Sequence, residues 1–150
     1  MATYEADGWG VGEIYVDGDR LLHHELPSAR VPKERGRHPL AERFRRYFAG
    51  EPDDFADVEI DLAGATSFQQ AVAAALRAVP YGETVTYGEL AALAGHPNAQ
   101  RATGTFCAAN RFPIVVPCHR VVAAGGLGSY GSLGLEYKRR LLALEGHEPL

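Results

Sequence analysis

A cysteine and a histidine stand side by side at Cys118-His119, followed by Arg120 and preceded by an apolar run, residues 112–117, with prolines at 113 and 117. The thiolate is the reactive form of cysteine, and a neighbouring imidazole or cation favours it. A nucleophilic thiol is therefore one reading of the pair. A structural buried cysteine beside a solvated histidine is the other. On an extended chain, adjacent side chains point opposite ways, so adjacency alone establishes no contact. Glu145 breaks a local rule: it falls in the last turn of a C-terminal helix, where the macrodipole disfavours an anion. Such violations mark either a functional group or an ordinary exposed helix end. Arg101 opens a helix between Gln100 and Ala102, where small neighbours let a helix approach another backbone closely. The second cysteine, Cys107, is expected to pack inward as a small apolar residue.

Length and composition bound what can carry these groups. The chain has 150 residues, 46% hydrophobic and 23% charged, enough for one compact domain or two small ones. No stretch approaches roughly 20 consecutive apolar residues, and the first residues lack the basic start and apolar run of a signal peptide, so a soluble cytoplasmic protein is expected. Two cysteines make no disulfide framework, and no Cys/His spacing suggests zinc, so no metal site is expected. The formal charge of −4 hides an asymmetry: residues 1–65 carry 8 Lys/Arg against 14 Asp/Glu, and residues 66–150 carry 7 against 5. Only the second part has a balance suited to phosphates, and modestly so.

The elements divide the same way. Residues 9–26 read as a β-hairpin about Asp17-Gly18-Asp19. Residues 28–38, rich in Lys and Arg, read as a loop. Leu40, Phe44, Tyr47 and Phe48 recur at helical spacing up to Gly50, and residues 57–62 read as a strand with Val58, Ile60 and Leu62 on one face. Ser67 with Gln70 is expected to form a capping box opening a helix that Pro80 ends. Thr86 with Glu89 forms a second, opening Tyr87 to Ala94. After Gly95, Pro97-Asn98 opens a third helix running to Asn110, and this pair resembles a helix-turn-helix. A glycine-rich loop holding Ser129, Tyr130 and Ser132 leads into a last helix, basic at Lys138-Arg139-Arg140 and closed by Gly146. The fold class is α+β, with an accessory unit over 1–65 and a helical unit over 66–150.

Several ordered motifs in residues 67–146 share one resemblance: Tyr81-Gly82, Thr86-Tyr87, Leu90-Ala91-Ala92-Leu93-Ala94-Gly95, Ala99-Gln100-Arg101-Ala102, Gly104, Asn110, Pro113, Pro117-Cys118-His119-Arg120-Val121 and Leu141-Leu142-Ala143-Leu144-Glu145-Gly146. They are similar to the O6-alkylguanine-DNA alkyltransferases, the methylated-DNA–protein-cysteine methyltransferases. The resemblance implies DNA repair by irreversible transfer of an alkyl group from O6-alkylguanine to Cys118, once the nucleotide is flipped from the duplex. His119, through a water, would take the thiol proton, and Glu145 would hold His119. Asn110 would brace the turn before the cysteine, and Tyr87 would hydrogen-bond the departing guanine. Arg101 would fill the vacated stack from a helix in the minor groove, with Thr86, Ala99, Gln100, Ala102 and Gly104 also at the DNA. Val121, Pro113, Tyr130 and Ser132 would line the substrate pocket: the carbonyls of Cys118 and Val121 would meet the exocyclic amine, and the Ser132 backbone N–H would meet O6. Double-stranded DNA is the implied partner, O4-alkylthymine a possible second substrate, and neither a cofactor nor a stable oligomer is implied. The N-terminal part would be the family's ribonuclease-H-like domain and the C-terminal part winged-helix-like.

The loop 128–134 departs from many members, which have two adjacent glycines where Leu133-Gly134 stands and a tyrosine one residue after the position of Tyr130. Three other readings compete. An alkyltransferase-like protein that flags damage carries tryptophan at the nucleophile position, where this chain has Cys118. A transcription factor using the helix pair alone needs a regulatory domain. A cysteine hydrolase built on Cys118, His119 and Glu145 would turn over.

Overall fold

In the computed structural model, residues 1–30 and 36–147 are described. They form two compact units: Met1–Asp61 with Arg111–Pro113, and Leu62–Asn110 with Ile114–Leu150. Part of the loop expected over 28–38 lies outside the described residues. Among those residues no helix is long and apolar enough to cross a membrane. Helices and small sheets together give the α+β class.

The first unit is an antiparallel sheet, β1 (Ala2–Ala6), β2 (Gly10–Asp17) and β3 (Arg20–Ser28), in the order β1-β2-β3, with helix α1 (Pro39–Phe48). The hairpin expected about Asp17-Gly18-Asp19 forms: Asp17 pairs with Arg20, and Gly18 takes the positive φ of 61° that the turn requires. Gly12 permits a close approach. A Cβ there would lie 2.2 Å from the Tyr4 ring. Phe44 and Tyr47 of α1 are fully buried, and Gly50, at φ 101°, ends the helix as expected.

The strand expected over 57–62 does not form. One parallel bridge, Leu21 to Ile60, replaces it, with Leu21 N–H donating to the Glu59 carbonyl and Asp61 N–H to that of Leu21. Val58 and Ile60 are buried all the same, so the alternation recorded which side chains face inward rather than a paired ladder.

Residue His24 sits inside this unit, stacked on Phe44 with ring centroids 3.9 Å apart. Its Nδ1 lies 2.8 Å from the Pro113 carbonyl and its Nε2 2.6 Å from the Tyr4 hydroxyl. A carbonyl only accepts, so Nδ1 carries the proton, and the Tyr4 hydroxyl donates to Nε2. That pattern fits a neutral ring.

The second unit begins with helix α2 (Ser67–Arg77), then the two-residue strand β4 (Val85–Thr86) and helices α3 (Tyr87–Leu93) and α4 (Gln100–Ala108). A 3-10 turn, Cys118–Arg120, leads into strand β5 (Val121–Val122), and helix α5 (Gly134–Leu144) closes the unit. The first capping box is shifted one residue from expectation. Thr66 caps with Gln69, while the Gln70 side chain donates to the Ala65 carbonyl. The second box, Thr86 with Glu89, is as expected. Helix α4 starts later than Pro97-Asn98 suggested, because Asn98 takes a positive φ of 69° that no helix continues.

Burial drives the pKa of His24 down to about 3 against its ordinary 6.5. The unfolded chain binds a proton below pH 6.5 that the folded ring excludes, so stability falls as pH drops from 6.5 towards 3. Urea unfolding at stepped pH should show that decline, and His24→Gln should flatten it. An unchanged slope in the variant would mean other groups carry the acid sensitivity.

Candidate functional site

Parallel pairing of β4 with β5, Val85 with Val121 and Thr86 with Val122, sets the start of α3 beside the segment that follows the cysteine. Tyr87 and the 3-10 turn are thereby fixed to one small sheet. Within that turn Cys118, His119 and Arg120 are all buried. The chain curls here instead of extending, so the two adjacent side chains are not forced to opposite sides.

The Asn110 side chain bridges two points beyond the end of α4. Its Nδ2 donates to the Val116 carbonyl at 2.8 Å and to the Cys118 sulfur at 2.8 Å. Between them Ile114 takes a φ of 78°, a left-handed conformation costly for a β-branched residue.

Glu145 is the C-cap of α5 and is buried. Its carboxylate accepts from His119 Nε2 at 2.8 Å, from Arg120 Nε at 2.9 Å and NH2 at 2.8 Å, and from the Gly82 N–H at 3.2 Å. Burial alone would raise the pKa of this carboxyl. The hydrogen bond from His119, with the hydrogen bonds and charge of Arg120, outweighs that and holds it well below the usual range. Burial lowers the pKa of His119 in spite of Glu145, so the ring is neutral. Its Nε2–H faces a carboxylate, which leaves Nδ1 as the lone-pair nitrogen, buried and without a hydrogen bond.

The Cys118 thiol is pushed well above its ordinary pKa, first by burial and then by the neighbouring Cys107 side chain. Asn110 and Lys138 oppose this and do not prevail. The adjacent His119 and Arg120 therefore do not make a resting thiolate, because both are turned to Glu145.

Two side chains that sequence reasoning passed over complete the arrangement. Arg120 was weighed only as a charge beside the thiol; it also donates to the Val79 carbonyl at 2.9 Å and lies over the Tyr81 ring. Lys138 was read as part of a basic surface helix. It is buried, with Nζ donating to the carbonyls of Val121 and Ser129, and burial brings its pKa down to about 8. A signal for it existed: Lys138 shares helical spacing with Leu141, Leu142 and Glu145.

The remaining expected residues separate. Tyr87 is half-buried, and burial raises its pKa, while Ser129 beside it lowers it. Gly128, at φ 81°, lets the loop close over it; a Cβ there would lie 3.1 Å from the Tyr87 hydroxyl oxygen. A Cβ on Gly104, which was expected at the DNA, would lie 4.0 Å from the Tyr87 ring. Thr86 caps α3. Ala99 is the N-cap of α4, and Gln100, Arg101 and Ala102 follow it, exposed. The Val121 carbonyl accepts from Lys138, and the Cys118 carbonyl accepts from the Val121 N–H. Each retains a second lone pair for a ligand. The Tyr130 hydroxyl is buried without a hydrogen bond. Ser132 lies in the 3-10 turn Gly131–Leu133 before α5. Pro113 belongs to the first unit.

Comparison with known proteins bears on the same segment. Residues 67–147 match the family model of the 6-O-methylguanine DNA methyltransferase DNA-binding domain. A methylated-DNA–protein-cysteine methyltransferase of Methanopyrus kandleri is 44% identical over 133 residues, covering 86% of this chain and 98% of that one. The chain belongs to this family. The Mycobacterium leprae methyltransferase of the same name is 52% identical over 105 residues, 69% of this chain and 62% of that protein, so the match spans under two thirds of that relative's length. The Mycobacterium tuberculosis OGT solved in complex with DNA superposes with a TM-score of 0.80 at 39% identity, covering 97% of this chain and 92% of that one.

The ion pair beneath the cysteine has a measurable consequence. Arg120 and Glu145 side chains are 5% and 0% exposed. Removing one partner of a buried pair leaves the other uncompensated, at a cost of about 3–5 kcal/mol. Arg120→Ala should lower the unfolding free energy on that scale. Arg139→Ala, which breaks the exposed pair with Glu136, should change it by less than about 1 kcal/mol. Denaturant titration of both variants checks this, and equal losses would refute the distinction.

Proposed function

We propose that this chain repairs O6-alkylguanine in double-stranded DNA by moving the alkyl group irreversibly onto its own Cys118. The observation that carries the proposal is the arrangement around the thiol. Asn110 donates to the sulfur, while the neighbouring His119, kept neutral by burial, turns Nε2 to Glu145 and leaves a lone pair on Nδ1. A cysteine placed only for packing needs neither.

The O6 position is inaccessible inside a duplex, so the nucleotide leaves the stack at a cost of a few kcal/mol. Arg101, exposed near the start of α4, fills the space it leaves. The Cys118 proton passes by way of a water to His119 Nδ1, and Glu145 stabilises the imidazolium through Nε2–H. The sulfur attacks the alkyl carbon in line with the C–O6 bond, and guanine departs with the bonding electrons. The Tyr87 hydroxyl donates to the departing ring and disperses its charge. The product is a thioether without a ready leaving group, so each protein molecule reacts once. Because guanine is itself the leaving group, the transfer needs no cofactor. One chain suffices for every step.

Mass spectrometry of intact protein mixed with an O6-methylguanine oligonucleotide, followed by peptide mapping, tests this. Cys118 should gain one methyl group and Cys107 none. Methyl on Cys107, or turnover without modification of the protein, would sink the assignment. Arg101→Ala should slow repair of duplex DNA far more than reaction with free O6-benzylguanine, which has no stack to refill. Equal slowing on both substrates would place Arg101 in support of the fold instead.

A further inference from the structure

The last turns of α4 carry a second thiol that the proposed transfer does not use. Cys107 is partly exposed and Cys118 is buried. The sulfur of Cys118 lies 3.7 Å from the carbonyl oxygen of Cys107, which puts the Cys107 backbone within side-chain reach of the nucleophile. The two thiols are also close enough that each shifts the pKa of the other. They belong to different elements, α4 and the 3-10 turn, and are 11 residues apart in the chain. Cys107 therefore sits as a second sulfur beside the nucleophile, with a side open to solvent that Cys118 lacks.

We propose that Cys107 is a peroxide-sensing thiol: on exposure to a hydroperoxide it is oxidised and closes an intramolecular disulfide with Cys118, masking the nucleophile reversibly. The step balances in two stages. The Cys107 thiolate attacks the terminal oxygen of the hydroperoxide, the O–O bond breaks, and an alcohol or water leaves with the proton, giving a sulfenic acid. The Cys118 sulfur then attacks the Cys107 sulfur. The S–S bond forms, the S–O bond breaks, and hydroxide leaves with the Cys118 proton as water. Two electrons from the two thiols reduce one peroxide. The hydrogen bond from Cys118 lowers the Cys107 pKa against its burial, which favours Cys107 as the first attacker.

This inference rests on the positions of the two thiols rather than on the reaction assigned to Cys118, and its main readout is independent of DNA. Reduced protein is treated with excess hydrogen peroxide, and its intact mass and non-reduced peptide map are recorded. Methyl transfer from an O6-methylguanine oligonucleotide is then measured before and after dithiothreitol. The expected result is loss of two hydrogens, a cross-linked peptide joining Cys107 to Cys118, and transfer that disappears and returns with the reductant. Cys107→Ser, and Cys107→Ala as a second variant, should transfer methyl like the parent when reduced, yet show neither the cross-link nor the reversible loss. Peroxide-treated parent protein with both thiols intact, or oxidised without the cross-link, overturns the proposal. So does a Cys107 variant with the same reversible loss. Absence of methyl transfer in every reduced sample would count against the proposed function and leave the cross-link readout standing.

Discussion

A single buried carboxylate holds the second unit's chemistry in place. Glu145 lies where a helix ends, so the negative end of the α5 dipole opposes its charge, and burial removes the water that would otherwise offset it. The position is tenable because four N–H groups converge on it from His119, Arg120 and Gly82. Arg120 brings a full positive charge to the end of the helix, so the local balance there is no longer that of a lone anion against a dipole. Each of these partners is fixed in return. The tautomer of His119, the curl of the 3-10 turn and the approach of the Gly82 segment all depend on the same two oxygens.

Local patterns revealed the groups but not the pairings. Cys118, His119, Asn110 and Glu145 were singled out from residue type, from a broken helix rule and from the resemblance, and all four come together. Arg120 as the partner of Glu145 was not visible, because a separation of 25 positions carries no periodic signal linking a turn to a helix end. Lys138 was grouped with Arg139 and Arg140 as one basic run, although those two are exposed and Lys138 is buried. In the first unit β1 went unseen: Ala2, Tyr4 and Ala6 face inward, and two alanines are too small to register as an apolar stripe. The capping box slipped by one because Thr66 and Ser67 both precede a glutamine by three residues. Only backbone geometry separates them, with Thr66 extended at ψ 165°.

The state of the thiol follows from the same burial. Water exclusion favours the neutral form of Cys118 more strongly than Asn110 and Lys138 favour the anion. In the proposed transfer the sulfur, neutral at rest, needs a proton acceptor at the moment of attack. The neighbouring His119 can serve because it is neutral, and it is neutral because burial prevails over the pull of Glu145. A stronger carboxylate effect would have left imidazolium, which cannot accept the proton. The balance between desolvation and the ion pair therefore decides whether the Cys-His pair is catalytic or inert, and Arg120 tips it by drawing on the same carboxylate.

Helix α5 brings these effects under one geometric constraint. Lys138, Leu141, Leu142 and Glu145 recur at intervals of three and four, so one face of the helix supplies a cation, two core residues and an anion in succession. Leu141 and Leu142 are fully buried and fix the depth of the helix. At that depth Lys138 reaches the Val121 and Ser129 carbonyls on one side of the cysteine segment, and Glu145 reaches His119 and Arg120 on the other. A rotation of the helix large enough to free Lys138 would also withdraw Glu145 from its donors. The carbonyls of Val121 and Ser129 and the side chains of His119 and Arg120 are therefore held by one face of a single helix.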